Sequence, residues 1–370
     1  MKKRNVKPSQ LSIGIDLGDR ESYVCALDRG TGEIVEEYRV RTTREALLKR
    51  FGGLKRARVA IEVGSHSPWI SRLLEEQGHE VIVANSYKLR LIYDNDSKSD
   101  RVDAQYLARL AATGMDELLH PIRHRGEKAQ AGRALVLARD RAVSARTMLI
   151  NTSRGLVKSL GGRLPSCHAE GFHKRVRDEL PPALAQALEP LLDVLEVLTQ
   201  KIRVLDKRIE LMGSEQYPET ARLRQIKGVG PILALNYALT LDDPSRFEKS
   251  RVVGAFVGLR PKRRSSSKSD PELRISKAGD SLLRRHLVLS AQYILGPFGE
   301  DSDLRRWGLA LAARGRKNAK KRAVVAVARK LAVLLHSLWT SGEDYEPLRN
   351  ANRTASRAAK ANEAAARATA

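Results

Sequence analysis

Only two cysteines, Cys25 and Cys167, occur in 370 residues. That is too few for a disulfide framework or a zinc ribbon, and Cys167-His168 with His173 nearby lacks the paired spacing of a zinc site. No stretch approaches the roughly 18 consecutive apolar residues that read as a membrane-crossing helix. The opening residues, MKKRNVKPSQ, carry no hydrophobic segment after their charges. The expectation is therefore a cytoplasmic protein with no membrane partner. A G-x-x-x-x-G-K-[ST] phosphate loop is also missing. Acidic residues are scarce relative to basic ones, 43 against 67, for a formal charge of +24. So large an excess matches a polyanion, with nucleic acid well ahead of an acidic membrane surface. The rest is ordinary for a folded protein: 42% apolar and 30% charged residues, in a length that allows two or three domains.

Strand and helix signals alternate at the start. Ser12 to Leu17, Tyr23 to Leu27 and Ile34 to Val40 read as three strands of an antiparallel meander, with Gly30 to Gly32 as a turn. Arg44 to Phe51 reads as a helix, Arg58 to Val63 as a strand, Pro68 to Gln77 as a helix and Glu80 to Ala84 as a strand. Strands separated by helices imply parallel pairing, so the sheet is mixed. From Asp100 to Ala112 the pattern is helical. Residues 127 to 160 form a long basic helix. Next, Leu184, Leu188, Leu191, Leu195, Leu198, Ile202, Leu205, Ile209 and Met212 alternate steps of four and three, a heptad seam interrupted only by Pro190. One amphipathic helix packed on its own domain is the plain alternative; self-association or an antiparallel helical arm is favoured. Ile226-Lys227-Gly228-Val229-Gly230-Pro231 lies between helical patterns and looks like a helix-hairpin-helix, whose glycine turn offers backbone N–H groups to a phosphate. A basic loop, Pro261 to Arg274, precedes the last helices.

Three acidic signals fall in the first domain. Asp16 ends the apolar strand Ile13-Gly14-Ile15, and Glu62 sits within Val59-Ala60-Ile61-Glu62-Val63. Asp100 and Asp103 open a helix, three residues apart and so on one face. Carboxylates among β-branched residues are costly unless a cation or donor meets them. Singly, each has a structural explanation: Asp16 capping a turn, Glu62 pairing with a lysine, Asp100 capping the helix with Asp103 easing its dipole. Together they have the layout of a ribonuclease-H-like nuclease, in which converging carboxylates hold Mg²⁺ or Mn²⁺ for phosphoryl transfer.

The order Asp16, Glu62, Asp100, Asp103 resembles the DEDD set of the RuvC-like domain in insertion-sequence-110 family transposases. Lys98-Ser99-Asp100-Arg101-Val102-Asp103-Ala104 is similar to that family's K-[ST]-D-x-x-D-A signature. Asp16-Leu17-Gly18 also matches the opening of actin-like ATPases, but no second Asp-Gly phosphate loop follows. Further on, Gly254-Ala255-Phe256-Val257-Gly258-Leu259-Arg260-Pro261 resembles the family's A-[YF]-x-G-L-x-P, and Arg274-Ile275-Ser276-Lys277-Ala278-Gly279-Asp280 with Leu282-Leu283-Arg284 resembles R-I-[ST]-K-x-G-[ND]-x-x-L-R. The family's serine, five residues after the proline, falls on Ser266. Ser265 and Ser267 flank it, and Ser267 stands where the family has glycine. From the residues alone, a flexible basic loop gripping DNA remains the competing account of this segment.

The resemblance implies an α/β ribonuclease-H-like (RuvC-like) domain over residues 1–118 and a basic-helix and coiled-coil segment over 119–215. A mostly helical C-terminal transposase domain with a helix-hairpin-helix and the serine loop would cover 216–342, and a disordered tail 343–370. It implies a recombinase that cuts and rejoins DNA through a Mg²⁺- or Mn²⁺-bound site of Asp16, Glu62, Asp100 and Asp103 together with a covalent intermediate on Ser266. Its implied partners are donor and target duplex DNA, a structured noncoding guide (bridge) RNA and further copies of the chain, a dimer or tetramer with composite active sites. Lys227, Gly228, Gly230, Arg263, Arg264, Lys268, Lys277 and Arg284 are the expected nucleic-acid contacts. Basic stretches at Arg133 to Arg163 and Arg314 to Arg322 are candidate backbone-binding faces. Two other classes stay open: a RuvC-like junction nuclease without covalent serine chemistry, and a noncatalytic architectural protein.

Overall fold

The computed structural model describes residues 10–85, 88–89, 99–263, 273–315, 318–352 and 354. They form two compact units that divide between His124 and Arg125.

The first unit is built on a five-stranded sheet in the order β3-β2-β1-β4-β5. Its strands are β1 (Leu11–Asp16), β2 (Glu21–Asp28), β3 (Ile34–Arg41), β4 (Arg58–Glu62) and β5 (Glu80–Ala84). β1, β2 and β3 are antiparallel neighbours, while β4 runs parallel to β1 and β5 parallel to β4. Strand alternation divides the sheet's side chains between two cores. Ile13, Ile15, Val24, Val59, Ile61 and Val83 face helices α1 (Arg44–Phe51) and α2 (Ser67–Glu76), burying Leu47, Phe51, Ile70, Leu73 and Leu74. Cys25, Leu27, Ala60, Ile82 and Ala84 point the other way, against Ala104, Leu107, Ala108 and Ala111 of α3 (Asp100–Ala112). Burial pushes the Cys25 thiol up to about 11, so it is a core residue and not a nucleophile.

Gly14 sets how closely α3 approaches. A Cβ at Gly14 would lie 2.0 Å from the Ala104 carbonyl oxygen and 2.4 Å from the Ala108 nitrogen. Beside it the Ser12 hydroxyl donates to the Ala108 carbonyl at 2.8 Å. The outer side of α3 is tied to β3 through Glu37, which accepts from Gln105 at 2.7 Å and from Arg101 at 2.8 Å. Burial alone would raise the Glu37 pKa, but these two donors hold it below the ordinary glutamate value.

The second unit is helical. Its long members are α4 (Glu127–Ser159), with the short α5 (Phe172–Arg177) after it, and α6 (Ala185–Gln216). Then come α7 (Glu219–Leu223), α8 (Pro231–Leu241), α9 (Ser250–Phe256), α10 (Ser281–Leu295), α11 (Asp303–Ala312) and α12 (Ala319–Ser341). α8 is buried on every side from Leu233 to Leu241 and forms the centre of a core with α9, α10 and α12. Tyr237 is fully buried there and donates its hydroxyl to the Ala332 carbonyl at 2.7 Å. By length and composition α12 could cross a membrane, with an 18-residue window of mean hydropathy 1.4. The absence of an apolar run in the sequence did not anticipate this; Val327, Leu331 and Leu335 of α12 pack in the core. After α12 the chain returns to α11, where Asn350 and Ala351 donate their amides to the Asp303 carboxylate. Residues 355–370, expected to be disordered, lie outside the described residues.

The heptad seam finds its partner within the chain. Arg139 of α4 pairs with Asp206 of α6 at 2.8 Å, and Ile150 shares a core cluster with Leu192 and Leu195, so the two helices run antiparallel. The buried line on α6 is Leu188, Leu192, Leu195, Thr199, Ile202, Ile209 and Gly213. Leu188, Leu195, Ile202 and Ile209 are as expected. Leu191, Leu198, Leu205 and Met212 are only half-buried, because their neighbours one residue on face α4 instead. Gly132 on α4 admits the close approach: a Cβ there would lie 3.2 Å from Met212 Sδ and 2.9 Å from Leu239 Cδ2.

His286 of α10 gives this unit a pH dependence. Its Nδ1 is 3.1 Å from Asn236 Nδ2, and burial, reinforced by Arg285, pushes its pKa down from 6.5 to about 4. The folded state therefore excludes a proton that the unfolded chain accepts. Stability should be lost progressively as pH falls from about 6.5 to about 4 and be unaffected by this group above that window. Thermal melts across that range, repeated on His286→Gln, check it: the variant should melt with a shallower pH dependence, and an unchanged slope would assign the loss elsewhere.

Candidate active site

Asp16 and Glu62 end neighbouring parallel strands. The β1–β4 register pairs Gly14 with Ala60 and Ile15 with Ile61, so Asp16 and Glu62 are the next positions on both strands. Alternation puts Asp16 on the face of Ser12 and Gly14, and Glu62 on the face of Ala60, which is the face that α3 covers. α3 runs antiparallel to β1: Ala108 lies over Ser12 and Ala104 over Gly14. Two strand residues advance about 6.6 Å and four helical residues about 6 Å, so the next step brings Asp100 level with Asp16. Asp103 follows on the same helix side and is 4% exposed. The four positions thus lie toward one end of one face, where the parallel strands terminate and where open α/β sheets bind ligands.

One structural explanation for these residues does not apply, and a second finds no support among the described residues. The N-cap of α3 is Ser99, whose hydroxyl accepts from the Val102 amide at 3.3 Å, so Asp100 is not the cap. Glu62 makes no ion pair among the described residues. The carboxylates are gathered loosely: among the described residues no group of three or more His, Cys, Asp or Glu side chains stands as a metal-ligand set. Their chemistry, all hard oxygen donors, suits Mg²⁺ or Mn²⁺. Lys98 lies outside the described residues.

The same edge holds a polar group that the sequence reading did not single out. His66 follows β4 by four residues; its Nε2 is 3.3 Å from Asp19 Oδ1, and its Nδ1 accepts from Trp69 Nε1 at 3.1 Å. Ser67 Oγ is 2.9 Å from His124 Nε2. The only available signal was position, just past the ends of β1 and β4.

In the helical unit the two C-terminal sequence blocks form one clasp. Pro261 and Ile275 make an antiparallel bridge, Lys262 donates to the Arg274 carbonyl at 2.9 Å, and Ser276 donates to the Arg260 carbonyl at 2.8 Å. Gly258 (φ +73°) and Gly279 (φ +70°) allow the strands to cross, since a Cβ on either would lie 2.0 Å from a carbonyl oxygen, of Ala278 and Phe256 respectively. Arg284 closes the clasp by donating to the Val257 carbonyl at 3.1 Å and the Ala278 carbonyl at 2.9 Å. Arg284 was expected to contact nucleic acid; here one of its nitrogens is committed to holding the neck of the loop. Asp280 anchors the end of the clasp. It accepts from the Leu283 amide at 2.8 Å, pairs with Arg133 of α4, and lies 3.7 Å from Arg125. Burial alone would raise the Asp280 pKa, but these partners hold it below the ordinary aspartate value.

Of the remaining expected contacts, Lys277 is exposed in a left-handed conformation (φ +56°), and Arg263 is exposed at the loop's near end. Arg264, Ser265, Ser266, Ser267 and Lys268 lie outside the described residues. Lys227 is paired with Glu300 at 3.1 Å. Gly228 (φ +98°) makes the turn between α7 and α8 and packs against α10, where a Cβ would lie 3.0 Å from Tyr293 Cδ1. Ser290 donates to the Gly228 carbonyl, and exposed Gly230 leads into α8.

Comparison with known proteins accounts for both halves. Residues 13–161 match a family model, DEDD_Tnp_IS110, described as a transposase, and residues 220–300 match one described as the IS116/IS110/IS902 transposase family. A putative transposase, y4pF/y4sB, of Sinorhizobium fredii is 32% identical over 83% of this chain and 79% of its own. The transposase for insertion sequence element IS1111A of Coxiella burnetii is 29% identical over 93% of both chains. The transposase for insertion sequence element IS1328 of Yersinia enterocolitica is 28% identical over 90% of this chain and 98% of its own. The chain belongs to the IS110 family of transposases.

Proposed function

We propose that the protein cuts and rejoins DNA by pairing a divalent-metal carboxylate site with a serine nucleophile, under the direction of a guide RNA. What supports this reading is the match of both halves of the chain to transposase models, with Asp16 and Glu62 ending the adjacent parallel strands β1 and β4 and Asp100 and Asp103 opening the helix α3 packed on them. These four are the residues to hold Mg²⁺ or Mn²⁺, which when bound would stabilise negative charge on the phosphate oxygens. Ser266 Oγ attacks phosphorus, the bond to the leaving sugar oxygen breaks, and the hydroxyl proton passes to the leaving oxygen or solvent. A phosphodiester is exchanged for a serine–DNA phosphodiester, so rejoining needs no ATP. Arg263, Arg264 and Lys268 supply fixed positive charge beside the serine. The clasp at Gly258, Ile275 and Arg284 gives the loop a defined base. Carboxylates and serine would come together from different protomers of a dimer or tetramer.

The charge of +24 suits an RNA and two duplexes. Purified protein should carry one discrete structured RNA and, with it, exchange strands between donor and target duplexes. Nuclease-treated protein should lose that exchange and regain it when the RNA is added back. Recovery of only random cellular RNA, with full exchange by nuclease-treated protein, would remove guidance from the account.

A further inference from the structure

The antiparallel pair α4–α6 encloses a positive charge that its surroundings do not balance. Arg139 pairs with Asp206, and Ile150 clusters with Leu195, so Arg146 falls level with Thr199 on the facing helix. Arg146 is 8% exposed. Its Nε and Nη1 are enclosed by protein without a hydrogen-bond partner, and no carboxylate pairs with it among the described residues. Thr199, level with it on the facing helix, is already engaged, since its hydroxyl donates to the Leu195 carbonyl at 2.8 Å. Guanidinium does not shed its proton as a buried lysine can. An enclosed, unpaired guanidinium is therefore unfavourable for the isolated fold and calls for an anion from outside.

The surroundings indicate which anion. About two turns along α4, Arg154 repeats the pattern, with its Nε enclosed and unpartnered and its guanidinium 5.4 Å from the centre of the Phe172 ring. From Arg141 to Ala169 the chain has no Asp or Glu but contains Arg141, Arg146, Arg154, Lys158 and Arg163. A segment of cations without interspersed acids matches a ligand whose negative charge repeats along its length. Nη2 is the one guanidinium nitrogen of Arg146 that is not enclosed, and a phosphodiester oxygen can accept a charge-assisted hydrogen bond from it. Resting on the reading above that the protein acts on nucleic acid, we propose that Arg146, with Arg154 beside it, is an anchoring site for a backbone phosphate. The α4–α6 arm then grips a nucleic-acid strand through a charge held in place before the strand arrives.

The test uses full-length Arg146→Met protein, stripped of nucleic acid at high salt and compared with the unsubstituted protein. The probes are a short fluorescent DNA duplex of arbitrary sequence and an RNA duplex of the same sequence. Replacing an unpaired buried charge with an apolar chain of similar length should raise the melting temperature of the free protein. The same change should weaken binding roughly tenfold at low salt and reduce the salt slope by about one phosphate. The duplex that loses affinity identifies the source of the phosphate. Arg146→Lys, which keeps the charge on a shorter and more strongly hydrated head, should bind with intermediate affinity and remains testable if the Met variant fails to fold. Unchanged affinity for both duplexes would overturn the proposal. If that were accompanied by a lower melting temperature, Arg146 would be a packing residue. If it were accompanied by a change in sedimentation, its anion would be a carboxylate on another copy of the chain.

Discussion

Strand exchange should fall by roughly three orders of magnitude when any one of Asp16, Glu62, Asp100 or Asp103 is replaced by alanine, with the fold retained. These side chains sit where β1 and β4 end and α3 begins, outside the apolar clusters of the unit. That packing comes from Ile13, Ile15, Val59 and Ile61 on one face and Ala60, Leu107 and Ala111 on the other. Loss of function without loss of structure is therefore the expected signature. It is read from exchange rates in Mg²⁺ alongside melts and circular dichroism of the same preparations. Asp103→Ala is the most informative of the four because Asp103 is the most buried, at 4% exposure. An Asp103→Ala protein that exchanges strands at the normal rate would remove this carboxylate from the site.

Gly14→Ala should produce the opposite pattern, a loss of structure from a single methyl group. The added Cβ would lie 2.0 Å from the Ala104 carbonyl oxygen, 2.4 Å from the Ala108 nitrogen and 2.9 Å from Leu107 Cβ. Two of these are backbone atoms, so no side chain can rotate away, and α3 must lift from the sheet. Overpacking of this kind costs about 3 kcal/mol. Lifting α3 also carries Asp100 and Asp103 away from Asp16 and Glu62, so activity should fall along with stability. Chemical denaturation gives the first quantity, and exchange measured well below the melting temperature gives the second. A Gly14→Ala protein within about 0.5 kcal/mol of the original would mean that α3 does not rest on β1 as closely as described.

The sheet was legible because its causes are local. The meander of β1, β2 and β3 follows from alternation and the Gly30–Gly32 turn, and α1 and α3 occupy the spans their patterns indicate. The sequence marks Asp16 and Glu62 as out of place in apolar strands, and each is the next residue after the last paired position of β1 with β4. The α4–α6 contact was less legible. A heptad pattern identifies a buried stripe but not its partner, and which of two adjacent residues turns inward depends on where α4 has glycine, as at Gly132. Charge was the least legible feature. Arg133, Arg146 and Arg284 look alike in a basic sequence. In the fold one pairs with Asp280, one is enclosed without a partner, and one holds two backbone carbonyls. His66 and Asp19, distant in sequence, meet only because β1 and β4 are adjacent.

The central claim is that Ser266 becomes covalently joined to DNA, and the most direct measurement is to trap that bond. Cleaved DNA would be captured on a suicide substrate, the protein digested, and the modified peptide mapped by mass spectrometry. The account predicts an adduct on Ser266 that is lost in Ser266→Ala and retained in Ser265→Ala and Ser267→Ala. An adduct surviving Ser266→Ala would move the nucleophile to a neighbouring serine. Cleavage with no adduct at all, with free 5′-phosphate ends accumulating, would contradict the account and favour a hydrolytic junction nuclease.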